Sequence, residues 1–137
     1  SSHDFFPWND NLSVGIREMD KQHKRLVELI NLLASKIQSG RAEEGVKLVL
    51  PELKEYTLFH FNQEEELFTA AGYPDAISHK DKHKKVIERV VAFIEQVEKG
   101  DLSVANALLG FLRNWLITHI MKVDKQYGRF INEKLDE

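Results

Sequence analysis

Four stretches of this sequence repeat apolar residues at helical spacing, and a histidine falls on the apolar stripe of each. In residues 19–39 the stripe is Leu26, Val27, Ile30, Leu33, Ala34 and Ile37, with His23 one turn ahead of it, and Gly40 ends the segment. Residues 42–71 carry Leu53, Tyr56, Thr57, His60, Glu64, Leu67 and Phe68 on one face and stop at Gly72-Tyr73-Pro74. Residues 75–99 carry Ile77, His79, His83, Val86, Ile87, Val90, Ile94 and Val97, with Gly100 as the stop. The last segment starts near Asp101-Leu102-Ser103 and runs to about residue 132. It is lined by Ala105, Leu108, Leu109, Leu112, Trp115, Leu116, His119, Ile120, Val123, Tyr127 and Phe130.

Strand signals are weak, and short links between long amphipathic segments favour an all-α, up-down-up-down four-helix bundle. At 1.5 Å per residue such helices are roughly 30–40 Å long. Residues 1–137 are expected to form a single domain, with residues 18–137 as the bundle and residues 1–17 as an N-terminal arm packed across it. Phe5, Phe6, Pro7 and Trp8 make that arm too apolar for a free tail, and Asn9, Asp10, Asn11 and Ser13 favour turns. Pro51 falls inside the second segment, where an interior proline costs about 3 kcal/mol unless the helix bends or restarts there.

Composition removes several function classes. A net charge of −3 with no long basic block argues against nucleic acid and against a polybasic membrane anchor. The apolar runs at residues 90–94 and 108–112 are too short to span a bilayer, so no membrane contact by this domain is expected. No apolar leader opens the chain, and a cytoplasmic location is expected. The absence of cysteine excludes disulfides, iron–sulfur clusters, thiolate-bound haem and zinc fingers.

The chemistry lies in five of the six histidines and two carboxylates. His60 and Glu64 are four residues apart, as are His79 and His83, so each pair projects from one helix face on adjacent turns. Glu65 and Glu66 point away from His60 and read as a solvated face. His119 and Asp124 are five apart, about 140° around an α-helix, which suits a carboxylate reaching sideways to bridge two ions. His3 is set aside as a terminal residue.

One histidine in an apolar stripe is more often a core residue satisfied by a single hydrogen bond. The joint pattern points elsewhere. Burying five imidazoles and two carboxylates with no metal would cost several kcal/mol in desolvation and unmade hydrogen bonds. The segment at residues 79–83 has no glutamate, so a zinc-protease motif is absent. No Glu-x-x-His occurs either, which disfavours ferritin-like oxidation. Two octahedral irons offer twelve positions; five imidazoles, two bridging carboxylates and one bridging oxygen leave one of them open.

The chain resembles the hemerythrin family, most closely its bacterial single-domain form. The resemblance is carried by Trp8, Val14-Gly15-Ile16, Met19-Asp20-Lys21-Gln22-His23 and Leu29-Ile30-Asn31, then by His60-Phe61-Asn62-Gln63-Glu64-Glu65. It continues through Gly72-Tyr73-Pro74, His79 and His83 to Trp115-Leu116-Ile117-Thr118-His119-Ile120 and Asp124-Lys125-Gln126-Tyr127. It implies two Fe ions in an oxo- or hydroxo-bridged pair that binds O2 reversibly, with azide and similar small anions as ligand mimics. It implies that His79, His83 and His119 hold one iron, that His23 and His60 hold the other with the vacancy, and that Glu64 and Asp124 bridge them. Leu26, Phe61, Trp115, Leu116 and Ile120 would line the O2 pocket, where a dry apolar wall also slows oxidation by water.

The expected function is therefore O2 carriage, storage or delivery, and not an enzymatic one. An O2- or redox-sensing domain of a larger receptor would share the same site. A di-iron peroxidase or NO-handling enzyme is the third reading, and no general acid or second open position supports it. The sequence names no protein partner.

Overall fold

The structure is a computed structural model that describes residues 4–135. Helix α1 spans Arg17–Gln38, α2 Ala42–Leu48, α3 Leu50–Ala70, α4 Ala76–Glu98, α5 Ala105–Thr118 and α6 Lys125–Leu135. A π-helical turn, His119–Asp124, joins α5 to α6 into one long rod. Short 3-10 turns precede α1 at Asp10–Leu12 and α5 at Leu102–Val104. No strand occurs among the described residues, and none of their helices is long and apolar enough to cross a membrane.

The all-α four-helix bundle expected from the stripes is the observed fold: α1 packs on α3 and α5, α3 on α4, and α4 on α5. The interior is built from the predicted faces. Leu26, Leu33, Leu53, Phe68, Val90, Leu108, Leu112 and Leu116 are all buried. Ile77 is a correction, because it is 86% exposed. It sits two residues before His79, about 200° away around the helix, and so lies opposite the stripe it was assigned to.

The second predicted helix is in fact two. Helix α2 ends at Leu48, where the Val49 N–H donates to Gly45 O at 2.8 Å, and α3 begins at once. Pro51 lies in the first turn of α3, where its missing N–H removes no helical bond. The proline restarts the helix instead of kinking it. Between α1 and α2 the chain reverses at Gly40 (φ +80°), with Gly40 N–H on Ile37 O and Arg41 N–H on Lys36 O. That pair of bonds satisfies carbonyls left over at the end of α1.

The N-terminal arm lies across the bundle as expected. Phe6 is 1% exposed, and Asn31 fixes it by accepting from its N–H (2.7 Å) and donating to its carbonyl (2.9 Å). The Asp20 carboxylate accepts from Ser13 Oγ (2.5 Å) and Val14 N–H (2.8 Å), and Asn132 donates to Gly15 O at 3.0 Å. The carbonyl of Val14 presses on the backbone of Gly128, where any Cβ would meet it at 2.1 Å. The strap is thereby tied to α1 and α6, the first and last helices. His3, set aside above, lies outside the described residues.

Candidate metal centre

The four rods each send polar side chains to one interior point. His23 comes from α1, His60 and Glu64 from α3, His79 and His83 from α4, and His119 and Asp124 from the π-helical turn. All seven are buried, with His23, Glu64 and Asp124 fully so.

The geometry divides this cluster in two. His79 Nε2 and His119 Nε2 lie 3.2 and 2.9 Å from Asp124 Oδ1. His79 and His83 Nε2 lie 3.7 and 3.1 Å from Glu64 Oε1. On the other side, His23 Nε2 is 3.1 Å from Asp124 Oδ2 and 3.3 Å from Glu64 Oε2, and His60 Nε2 is 3.3 Å from that same Oε2. Each carboxylate thus turns one oxygen to a three-imidazole group and the other to a two-imidazole group. Glu64, His79, His83 and His119 gather within metal-ligand spacing of one another, and His23, His60 and Glu64 do so separately.

The spacing of five between His119 and Asp124 does not need the sideways reach expected of an α-helix. The backbone there is wound as a π-helix, with Lys125 N–H donating to Ile120 O across five residues. The wider turn brings Asp124 back beneath His119.

These atoms face one another at ion-pair distance without making hydrogen bonds within the protein. His23 Nε2, His79 Nε2, His83 Nε2, His119 Nε2, Glu64 Oε1 and both Asp124 oxygens are buried with no hydrogen bond. A buried polar atom left unpaired costs about 1–3 kcal/mol, so this many at one point need an occupant. Imidazole nitrogens and carboxylate oxygens converging in this way fit the binding of a transition-metal cation. Without metal, His23 and His79 take up protons beside the two carboxylates. Burial alone would push His23 and His79 down, but Asp124 and Glu64 hold them up at about 10 and about 9. Burial likewise raises the two carboxylates, and the surrounding imidazoles overcome it, leaving both well below the ordinary range. His60 is lowered, chiefly by burial.

Three further residues serve the cluster, and sequence reasoning gave none of them a role there. Gln22 Oε1 lies 2.7 Å from His60 Nδ1. Glu65 Oε2 lies 3.0 Å from His83 Nδ1, so Glu65 is not simply part of a solvated face. Tyr127 donates to Glu64 Oε2 at 2.5 Å. Gln22 had a readable signal, since it shares the buried row of Met19, Leu26, Leu29 and Leu33. Glu65 had none, because its partner lies on the neighbouring helix.

The apolar residues expected to wall a pocket are buried or half-buried in the same interior. Leu26, Phe61, Leu116 and Ile120 are at most 3% exposed. The Phe61 ring stacks on His83 at 3.7 Å and meets Trp115 edge-on at 5.7 Å. Trp115 is half-buried, 5.4 Å from the His119 ring, and stands in a surface cleft of about 710 Å³ edged by Lys82, Lys85 and Arg89.

Residues 14–131 match the family model described as the hemerythrin HHE cation binding domain. The chain is 38% identical over 130 residues to a bacteriohemerythrin of Pseudomonas paraeruginosa, covering 95% of this chain and 84% of that one. It is 30% identical over 127 residues to a bacteriohemerythrin of Clostridium acetobutylicum, covering 89% and 98%. Among solved structures, wild-type hemerythrin superposes with a TM-score of 0.85 at 30% identity, over 93% of this chain and 98% of that chain. A point mutant of hemerythrin gives 0.85 at 29% identity, over 93% and 97%.

Proposed function

The chain belongs to the hemerythrin family, in its bacterial form, and from that premise we propose that it binds O2 reversibly at a pair of iron ions. One observation carries the reading: Glu64 and Asp124 each split their two oxygens between a three-imidazole and a two-imidazole group. His79, His83 and His119 would hold one ion, His23 and His60 the other, and Glu64 and Asp124 would each face both. Such a pair, when bound, supplies the electrons that O2 draws on and gives back. Counting protein donors alone, the two-imidazole group would supply one fewer than the three-imidazole group, and it is there that a small ligand would find an opening.

The protein's own part is placement and exclusion of water. The fixed imidazoles present Nε2 without rearrangement. Glu64 is held from behind by the Tyr127 hydroxyl, which burial and the Glu64 and Asp124 charges keep protonated by raising its pKa well above the ordinary value. Leu26, Phe61, Leu116, Ile120 and Trp115 form the wall of the O2 pocket. They offer O2 an apolar surface and deny water a path to the opening. The role is binding, in carriage, storage or delivery, and not turnover.

The test is an optical cycle. Iron-loaded protein, reduced without air, is exposed to O2 and then returned to an O2-free atmosphere under gentle flow. The expected result is a visible band that forms and fades over repeated cycles. One-way oxidation on first exposure would contradict the proposal, and so would steady consumption of peroxide or NO.

A further inference from the structure

The two imidazole groups differ in what stands behind them. His83 turns Nε2 into the cluster, so its Nδ1 carries the proton and donates to the Glu65 carboxylate at 3.0 Å. His60 also turns Nε2 inward, and its Nδ1 donates to the Gln22 amide oxygen at 2.7 Å. The amide orientation is fixed from the far side, where Gln22 Nε2 donates to Glu18 Oε1 at 3.2 Å. His23, the other member of the two-imidazole group, has a buried Nδ1 with no partner at all. One group therefore has an anionic acceptor behind a ligand, and the other has only a neutral amide and a bare N–H.

That difference is chemical. A hydrogen bond to an ionised acceptor is about twice as strong as one between neutral groups. By drawing the Nδ1 proton away, a carboxylate leaves more electron density on Nε2 and makes the imidazole a better metal ligand. We infer that Glu65 and Gln22 are positioning residues that make the two metal positions unequal. The Glu65–His83 bond strengthens the three-imidazole position and favours the oxidised ion there. The Gln22–His60 bond leaves the two-imidazole position the weaker donor set, so an ion held there would be bound less tightly and would favour its lower charge. The inference rests on the reading above that each group holds an ion.

Titration of metal-free protein with Co(II) alone, followed by visible absorption, tests it. Wild-type protein is expected to take up two Co(II) in two phases, the tighter lost in His83→Ala and the looser in His60→Ala. Glu65→Gln is expected to weaken the tighter phase by about 10–100-fold and leave the looser one in place. Gln22→Glu is expected to tighten the looser phase. In the iron-loaded protein, Glu65→Gln should raise the reduction potential and Gln22→Glu should lower it. Unchanged Co(II) phases and potentials in folded Glu65→Gln would overturn the inference, as would equal weakening of both phases. Uptake of a single Co(II) by the wild type would instead sink the two-ion reading and the Gln22 half with it. The Glu65 half would still be decided by whether Glu65→Gln weakens that one phase.

Discussion

His119 Nε2 and Asp124 Oδ1 lie 2.9 Å apart although five residues of chain separate their positions, because the backbone between them winds as a π-helix. That turn delivers to the cluster a carboxylate whose second oxygen reaches His23 at 3.1 Å. Asp124→Asn keeps the shape and replaces a shared anion with a neutral amide. The variant should fold, with both metal positions weakened together by at least about tenfold. Metal titration reads this directly; loss at one position only would mean that Asp124 serves a single group.

Metal binding should release protons. Burial opposes charge on His23 and His79, yet Asp124 and Glu64 hold them at about 10 and about 9, so both are protonated near neutral pH in the metal-free protein. A raised histidine pKa contributes stability that is complete below the unfolded value of 6.5 and is lost as pH rises through the folded values. The lowered carboxylates act the other way, contributing stability above their unfolded values and losing it as pH falls. The metal-free melting temperature should therefore peak between about pH 4.5 and 6.5 and decline toward pH 10. Calorimetry in buffers of different ionisation enthalpy should find at least about two protons released per chain on metal binding near pH 7, one each from His23 and His79. A heat independent of buffer would contradict the protonation of His23 and His79.

Gly128→Ala should loosen the arm. The added Cβ would stand 2.1 Å from Val14 O, and the neighbour that must move is backbone held by Asp20. A destabilisation of about 1–3 kcal/mol is expected, with faster proteolysis in residues 4–16 as its local mark. Denaturant unfolding checks the first and limited digestion the second; wild-type values in both would show the strap to be dispensable.

Phe61→Ala removes the ring stacked on His83 at 3.7 Å. Loss of so large a buried side chain costs about 3–5 kcal/mol. If the wall excludes water as proposed, the variant also oxidises irreversibly within fewer O2 cycles than wild type. Equal cycling lifetimes at matched folded fraction would remove Phe61 from the pocket.

Much of this was legible in residue spacing. The intervals His60 to Glu64 and His79 to His83 survive into the structure because α3 and α4 are regular through them. Helical period also placed Leu26, Phe68, Val90 and Leu116 inside. Ile77 shows the limit: it is apolar enough for a core, yet 86% exposed, because its angle and not its hydropathy decides. At Pro51 the restart follows from α2 ending at Leu48, which depends on how α2 meets α1. The π-turn left one trace, the five-residue interval between His119 and Asp124, which fits a wider winding as well as the sideways reach that an α-helix would require. Glu65 and Tyr127 were hidden, as each acts on a residue of a different helix.

The claim that two irons share Glu64 and Asp124 is tested most directly by quantifying iron per chain and recording the EPR spectrum of the oxidised protein. Two irons per chain with no ferric signal, the mark of a coupled pair, is the predicted result. One iron per chain, or the spectrum of isolated high-spin ferric ions, would contradict it.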